Sequence, residues 1–330
     1  MDSFLSTFGS DYLNGLIETF ISPRKRLFLG YVALALVIGL VWLRWQGKTL
    51  KVALTSMLSR DIWLSASARA DYAIVLINRA LFLLASPLLL GQLAVATWLY
   101  FQLFDHYGLP PAAGALLPDW VVVTGFTLWF FLLDDFARYY LHRLLHRWPV
   151  LWAFHKMHHS ARVLTPLTVL RTHPVEGLLF SLRSVVVQGL SIGLFKFFFA
   201  SQVDLYTVLG VSVIVFTFNV AGSNLRHSHV PIHYWPWLER ILISPAQHQI
   251  HHSTDVRHFD TNFGAVLAVW DWLGGSLHRS EPGKPLRFGI RQRVEPDEQT
   301  LAMLYLQPFN EAVMIVARPL RRCWKGLRYR

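Results

Sequence analysis

Residues 80–104, ALFLLASPLLLGQLAVATWLYFQLF, contain no Asp, Glu, Lys or Arg, and residues 27–43, 120–133 and 205–225 are equally free of charge. A fifth run, 177–195, holds Arg183 near one end, where a long side chain can reach the headgroup region. Crossing a hydrocarbon core of about 30 Å takes roughly 20 helical residues, and most of these runs meet that length. With 53% apolar and 15% charged residues, too few charges remain to coat a soluble surface. The expected fold is therefore all-α, a polytopic membrane bundle of about four to five spans. The first run starts at Leu27 with no small-residue cleavage pattern behind it, so it reads as an uncleaved span.

The run 120–133 is short, but Asp119 to His146 reads as one helix whose second half, DDFARYYLHRLLH, turns amphipathic and leaves the membrane. The net charge of +11 comes largely from segments outside the apolar runs, and fourteen of the 31 Lys and Arg residues lie in 224–330. An anionic membrane surface explains this distribution more simply than nucleic acid. Residues 105–137 and 197–203 carry no Lys or Arg, whereas Arg143, Arg147, Lys156, Arg162 and Arg171 cluster between them. The positive-inside rule puts that cluster in the cytoplasm. Counting crossings then puts the N-terminus outside, although Arg24, Lys25 and Arg26 favour the opposite. Pro87 and Gly91 could break the second run into a re-entrant pair. The single cysteine, Cys323, excludes an intrachain disulfide framework and any cysteine-only metal site.

Thirteen of the fifteen histidines fall between 142 and 258, on both sides of two apolar runs. Two crossings restore the original side, so 177–195 and 203–221 read as a transmembrane hairpin that brings HKMHHS (155–160) and HQIHHS (248–253) to one face of the bilayer. On a helix His142 and His146 share a face, as do His155 and His158, with His159 beside them. The late set, His248, His251 and His252, repeats that geometry. A catalytic zinc takes three protein ligands and keeps a position open, so eight or more converging imidazoles fit two ions better than one. Imidazole suits iron, zinc, copper and nickel, so the ligands alone leave the metal open. HRLLH has Arg143 where the zinc-protease pattern HExxH places its general-base glutamate, which moves oxygen chemistry ahead of peptide hydrolysis. Asp134, Asp135, Asp260, Asn262 and Asp271 are candidates to receive the second imidazole N–H, Asp271 with the rival role of bracing the WDW turn. His106, His258 and His278 lie outside these groupings and read as ordinary polar residues. Trp120, Trp129, Trp152, Trp235 and Trp237 read mainly as interfacial anchors.

Taken in order, DFARYYLHRLLH, LWAFHKMHHS, RTHPVE, SPAQHQIHHS, DTNFG and WDWLGGS resemble the fatty acid hydroxylase and sterol desaturase superfamily of integral-membrane di-iron enzymes. The similarity runs from about Asp135 to Ser276. It implies a cytosol-facing, histidine-lined dimetal helical cap that uses two iron ions, O2 and an external ferredoxin- or cytochrome-type electron donor to hydroxylate or desaturate a lipid such as an acyl chain or sterol. By the same resemblance His142, His146, His155, His158, His159, His248, His251 and His252 are metal ligands. A further ligand is His227 or the pair His229 and His233, and His173 is a ligand or a neighbour of one. Gly274 departs from the pattern, which more often has Phe there. The domains expected are N-terminal spans (1–118), a catalytic domain including the hairpin (119–280), and a basic C-terminal loop with an interfacial helix (281–330). A membrane-embedded zinc lipid hydrolase using the same histidines is the alternative. A metal transporter would want more polar residues along its spans.

Overall fold

The computed structural model describes residues 2–85, 91–108, 117–199, 217, 220, 223–290 and 299–327, with the backbone alone for 2–5 and 319–327. All of its regular elements are helical. The N-terminal part comprises α1 (Asp2–Ile21), α2 (Leu29–Trp45), α3 (Leu50–Met57), α4 (Arg60–Trp63), α5 (Ala66–Ala85) and α6 (Gln92–Tyr107). The central part holds α7 (Asp119–Arg147), α8 (Pro149–His159) and α9 (Pro174–Phe199). Two short helices follow, α10 (Pro245–His251) and α11 (Val269–Leu273), and α12 (Leu301–Leu327) ends the description.

Helices α7 and α9 are long and apolar enough to cross a membrane, and only 17% and 22% of their apolar windows are buried inside the protein. A core helix of a soluble protein would be mostly buried, so these apolar faces need a covering other than the protein itself. Helix α2 is apolar but shorter, at 17 residues. Two candidate spans thus stand among the described residues, fewer than the run count suggests. The run 80–104 is divided between the end of α5 and α6, and its middle, 86–90, lies outside the described residues. The return arm 203–221 also lies outside them, apart from residues 217 and 220.

The amphipathic reading of α7 holds, and its polar half begins with an ion-paired belt. Asp134 takes Arg138 and Arg183, each at 2.7 Å, so the two apolar helices become polar at the same level. Below the belt Phe126 meets Phe195 edge-on at 5.1 Å. Helix α6 lies directly on α9, because a Cβ at Gly189 would stand 2.9 Å from the Gln92 carbonyl and one at Gly193 2.7 Å from the Ala96 carbonyl. The two backbones approach this closely only through glycine.

Trp148 ends α7 in an extended conformation (φ −98°, ψ 115°), as expected before a proline, and Pro149 opens α8. The chain therefore turns sharply and lays α8 back against α7. Behind α8, the fully buried Arg171 reaches Asp71 Oδ1 at 2.8 Å and donates to the Met157 carbonyl and Ser160 Oγ at 2.9 and 2.8 Å. This buried pair ties α5, α8 and the 166–171 turn together.

Helix α12 is docked along one face. Leu304 packs with Ala70, Ile74 and Met157. Tyr305 donates to Asn78 Oδ1 at 2.9 Å, and Glu311 pairs with Lys156. One face is thus docked, while Leu306, Val313, Met314 and Val316 remain exposed on the other. The side chains of Arg321, Arg322 and Lys325 lie outside the described residues.

Candidate metal centre

Three helices and one turn bring nine histidines together. Helix α7 carries His142 and His146, α8 carries His155, His158 and His159, α10 with its C-cap carries His248, His251 and His252, and the turn Ser223–His227 carries His227. Helix α10 is short but firmly started: Pro245 occupies its first turn, and Ser244 and Gln247 form a reciprocal capping box.

The nitrogens fall into two sets, each within 4.8 Å of one another: His142, His146, His155, His159 and His251, and then His158, His227, His248 and His252. The neighbours His158 and His159 divide between the sets, as do His251 and His252. The sets adjoin, since the His159 and His252 rings stack at 4.5 Å. Burial, followed by repulsion from neighbouring imidazoles, holds His155, His159, His227, His248, His251 and His252 well below the usual histidine range and brings His158 down to about 3. These rings are neutral at physiological pH.

Hydrogen bonding then fixes which nitrogen is bare. His142 Nδ1 donates to the Phe263 carbonyl at 2.8 Å and His251 Nδ1 to the Thr261 carbonyl at 2.7 Å. In a neutral ring this leaves both Nε2 atoms as lone pairs, yet they face each other at 3.1 Å. His146 and His159 also approach Nε2 to Nε2 at 3.1 Å. In the second set His227 Nε2 lies 3.3 Å from His158 Nε2 and 3.1 Å from His248 Nε2, which in turn is 3.3 Å from His252 Nε2. Facing lone pairs repel unless a cation lies between them. Bonds of about 2.0–2.1 Å to imidazole nitrogen give ligand-to-ligand edges of roughly 3.0–3.4 Å, the spacing seen here. The donor set therefore fits two metal ions.

Acceptors around the rings differ from those the sequence pointed to. His155 Nδ1 stands 3.0 Å from the buried Glu176 carboxylate, and His158 Nδ1 donates to the Arg171 carbonyl at 3.3 Å. Asp260 lies near His146 Nδ1 at 3.7 Å and is largely exposed. Asp135 accepts from Val266 N, Leu267 N and Trp270 Nε1 instead of an imidazole, anchoring the loop that carries Phe263. Asn262 bridges the Gln247 carbonyl and the His278 amide. Asp271 braces the same loop through Phe263 N, Gly264 N and Ser276 Oγ, and burial pushes its carboxyl up to about 6.

His173, His229 and His233 lie outside both sets. His173 uses both ring nitrogens elsewhere, donating to the Tyr305 carbonyl and accepting from Val175 N at the start of α9. His229 borders an apolar cavity of about 440 Å³ beside Leu36 and Met57, and His233 packs near Trp42. Among the tryptophans, Trp120, Trp129, Trp235 and Trp237 are exposed, whereas Trp152 leans on His146 at 5.0 Å. Sequence reasoning missed Glu176. Its signal was a carboxylate three residues past His173 in RTHPVE, visible only as part of a motif.

A cavity of about 460 Å³ opens onto both sets, bordered by His142 and His155 of the first and His158, His227 and His248 of the second. Its walls include Phe180 and Phe263 together with Arg138, Arg183 and Arg226. A second cavity, of about 310 Å³, touches the first set between Trp152 and Phe259.

Comparison with known proteins finds similarity over the part of the chain that carries this geometry. The profile described as fatty acid hydroxylase matches residues 127–276. A Delta(7)-sterol 5(6)-desaturase of Gibberella zeae is 29% identical over 198 residues, 60% of this chain and 51% of that protein. Lathosterol oxidase of Rattus norvegicus is 28% identical over 205 residues, 62% of this chain and 60% of the relative. Ornithine lipid hydroxylase OlsE of Rhizobium tropici is 31% identical over 180 residues, 53% and 48% of the two chains. The chain spans about half to three fifths of the length of these relatives, whose names all describe oxidation of lipids. No solved structure matches it. Over residues 127–276, a little under half of its length, the chain is thus similar to the fatty acid hydroxylase family.

Proposed function

We propose that the chain is a multi-pass membrane oxidoreductase that hydroxylates or desaturates a C–H bond of a lipid such as a fatty acyl chain or sterol. Two iron ions are its cofactors, O2 its co-substrate, and a separate ferredoxin- or cytochrome-type protein its electron donor. His142, His146, His155, His159 and His251 hold one ion; His158, His227, His248 and His252 hold the other. The observation that carries this reading is the pairing of facing, uncharged Nε2 atoms with a cavity that reaches both sets.

Two irons so held would supply the oxidising power, drawn from O2 and two external electrons, that an unactivated C–H bond demands. The chain's own residues set geometry and environment. Backbone carbonyls of Phe263, Thr261 and Arg171 take the Nδ1 protons of His142, His251 and His158, which turns each Nε2 inward. Glu176, 3.0 Å from His155 Nδ1, is placed to take that ring's N–H and would strengthen its other nitrogen as a donor to a bound ion. Phe180 and Phe263 present apolar surface to a lipid chain and help keep water from the reacting carbon. Arg143 donates to the Gly274 carbonyl at 2.9 Å and to the Tyr139 hydroxyl, a bracing position that offers no general base for hydrolysis. The basic residues beyond the Asp134 belt support a cytoplasmic face for the histidines.

The test is metal analysis of protein purified without oxygen, joined to lipid mass spectrometry of cells with and without the chain. About two irons per chain, with a lipid gaining one oxygen or losing two hydrogens only when O2 is present, is the expected result. Bound zinc with oxygen-independent release of an acyl or amide group would establish the hydrolase instead.

A further inference from the structure

Away from the nine histidines, His258, His278 and Glu281 place one nitrogen or oxygen each within 4.8 Å of the others. His258 is fully buried, and neither of its ring nitrogens has a hydrogen-bond partner among the described residues. His258 Nε2 lies 3.6 Å and His278 Nε2 3.7 Å from the same atom, Glu281 Oε1. Both separations are too long for a hydrogen bond. They lie close to the roughly 3.3 Å edge of a tetrahedron built on bonds of about 2.0–2.1 Å.

The surroundings turn His278 and Glu281 toward the His258 ring. His278 Nδ1 donates to the Arg279 carbonyl at 2.8 Å, which leaves its Nε2 bare in the neutral ring. Lys284 holds the other carboxylate oxygen, Glu281 Oε2, at 2.7 Å and so turns Oε1 toward the imidazoles. The His258 and His278 rings meet edge to face at 5.0 Å. Glu281 and His278 remain 34% and 28% exposed, which gives an ion a route in and leaves room for a solvent ligand.

We propose that His258, His278 and Glu281 form a third metal site, distinct from the nine-histidine centre, for a zinc-like divalent cation with three protein ligands and one position open to solvent. Two imidazoles and a carboxylate with a fourth position open are a set that zinc takes in tetrahedral sites. The site would act as a clasp. Residues 258–263 carry the carbonyls that receive His251 and His142, at Thr261 and Phe263, and an ion here would pin the start of that segment to residues 278–281. Asn262 already joins the two segments by accepting from the His278 amide at 2.8 Å.

The experiment uses full-length protein purified in detergent from cells supplied with both iron and zinc. Metals are counted per chain by mass spectrometry in wild type, His278→Ala and Glu281→Gln. One zinc equivalent in wild type, lost in both variants while iron stays at the wild-type level, is expected. Wild-type protein without zinc, or zinc unchanged in both variants, would overturn the proposal. X-ray absorption at the zinc edge of wild type needs no variant: a shell of two imidazoles with oxygen is expected, and a shell of imidazoles alone would place the zinc in the nine-histidine centre and refute the third site.

Discussion

Glu176 offers the sharpest test of how the imidazoles are held. Its carboxylate is buried, with 3% of the side chain exposed, and stands 3.0 Å from His155 Nδ1. Replacing it by glutamine keeps the volume and removes one carboxyl oxygen as an acceptor. Losing a partner of a ligating histidine typically weakens metal binding by about 10–100-fold, equivalent to roughly 1.4–2.7 kcal/mol. Asp260 provides the internal control, because it approaches His146 only to 3.7 Å and its side chain is 44% exposed. A screened contact of that kind is worth about 1 kcal/mol or less, so Asp260→Asn should change binding by about fivefold at most. The assay is the transfer of iron from purified protein to a coloured chelator of known affinity, fitted for the dissociation constant of each variant. Glu176→Gln should release iron at about 10–100-fold lower chelator strength than wild type. Equal affinities for Glu176→Gln and wild type, or a larger effect at Asp260 than at Glu176, would refute the assignment of Glu176 as the partner of a ligand.

Three further outcomes follow from the packing. Asp71→Ala should lower stability by about 3–5 kcal/mol, because it strands the fully buried Arg171 without its carboxylate; a thermal midpoint in detergent within a degree or two of wild type would show the pair to be dispensable. Gly274→Ala should also destabilise, by about 1–3 kcal/mol, since a Cβ there collides with the Tyr139 hydroxyl and the Arg143 guanidinium; unfolding curves of the variant check this. Asp271 binds its proton up to about 6 in the folded protein because burial disfavours the carboxylate. A raised pKa contributes stability below the unfolded value of about 3.9 that is lost as pH rises through the folded one. Denaturant titrations should therefore show a component falling between about pH 4 and 6, absent from Asp271→Asn.

Local spacing made most of the clustered histidines legible. The i, i+3 and i+4 intervals of His142, His146, His155, His158 and His159 mark shared helical faces, and the number of converging imidazoles pointed to two ions. The helical character and the amphipathic turn of α7 were legible for the same reason, periodicity within one element. Features that depend on contacts between distant segments were not. Glu176 meets His155 only because α9 starts beside α8. That His227, and neither His229 nor His233, joins the second set rests on a short turn whose direction no periodic pattern encodes. Asp135 lies one helical face from His142 yet spends its oxygens on the 266–270 loop. His258 and His278 looked isolated because a 20-residue separation hides their ring contact. Helix α12 carries an apolar stripe that suits a bilayer or a protein face equally, and only Ala70, Ile74 and Met157 decide which part docks.

Three of the rings around the two sets donate their Nδ1–H to main-chain oxygen, at Thr261, Phe263 and Arg171. An acceptor that belongs to the peptide bond survives any exchange of side chain at its own position. Drift at 261 or 263 can therefore reshape the neighbouring wall while the orientation of His251 and His142 persists, so substrate preference and ligand alignment are free to evolve separately.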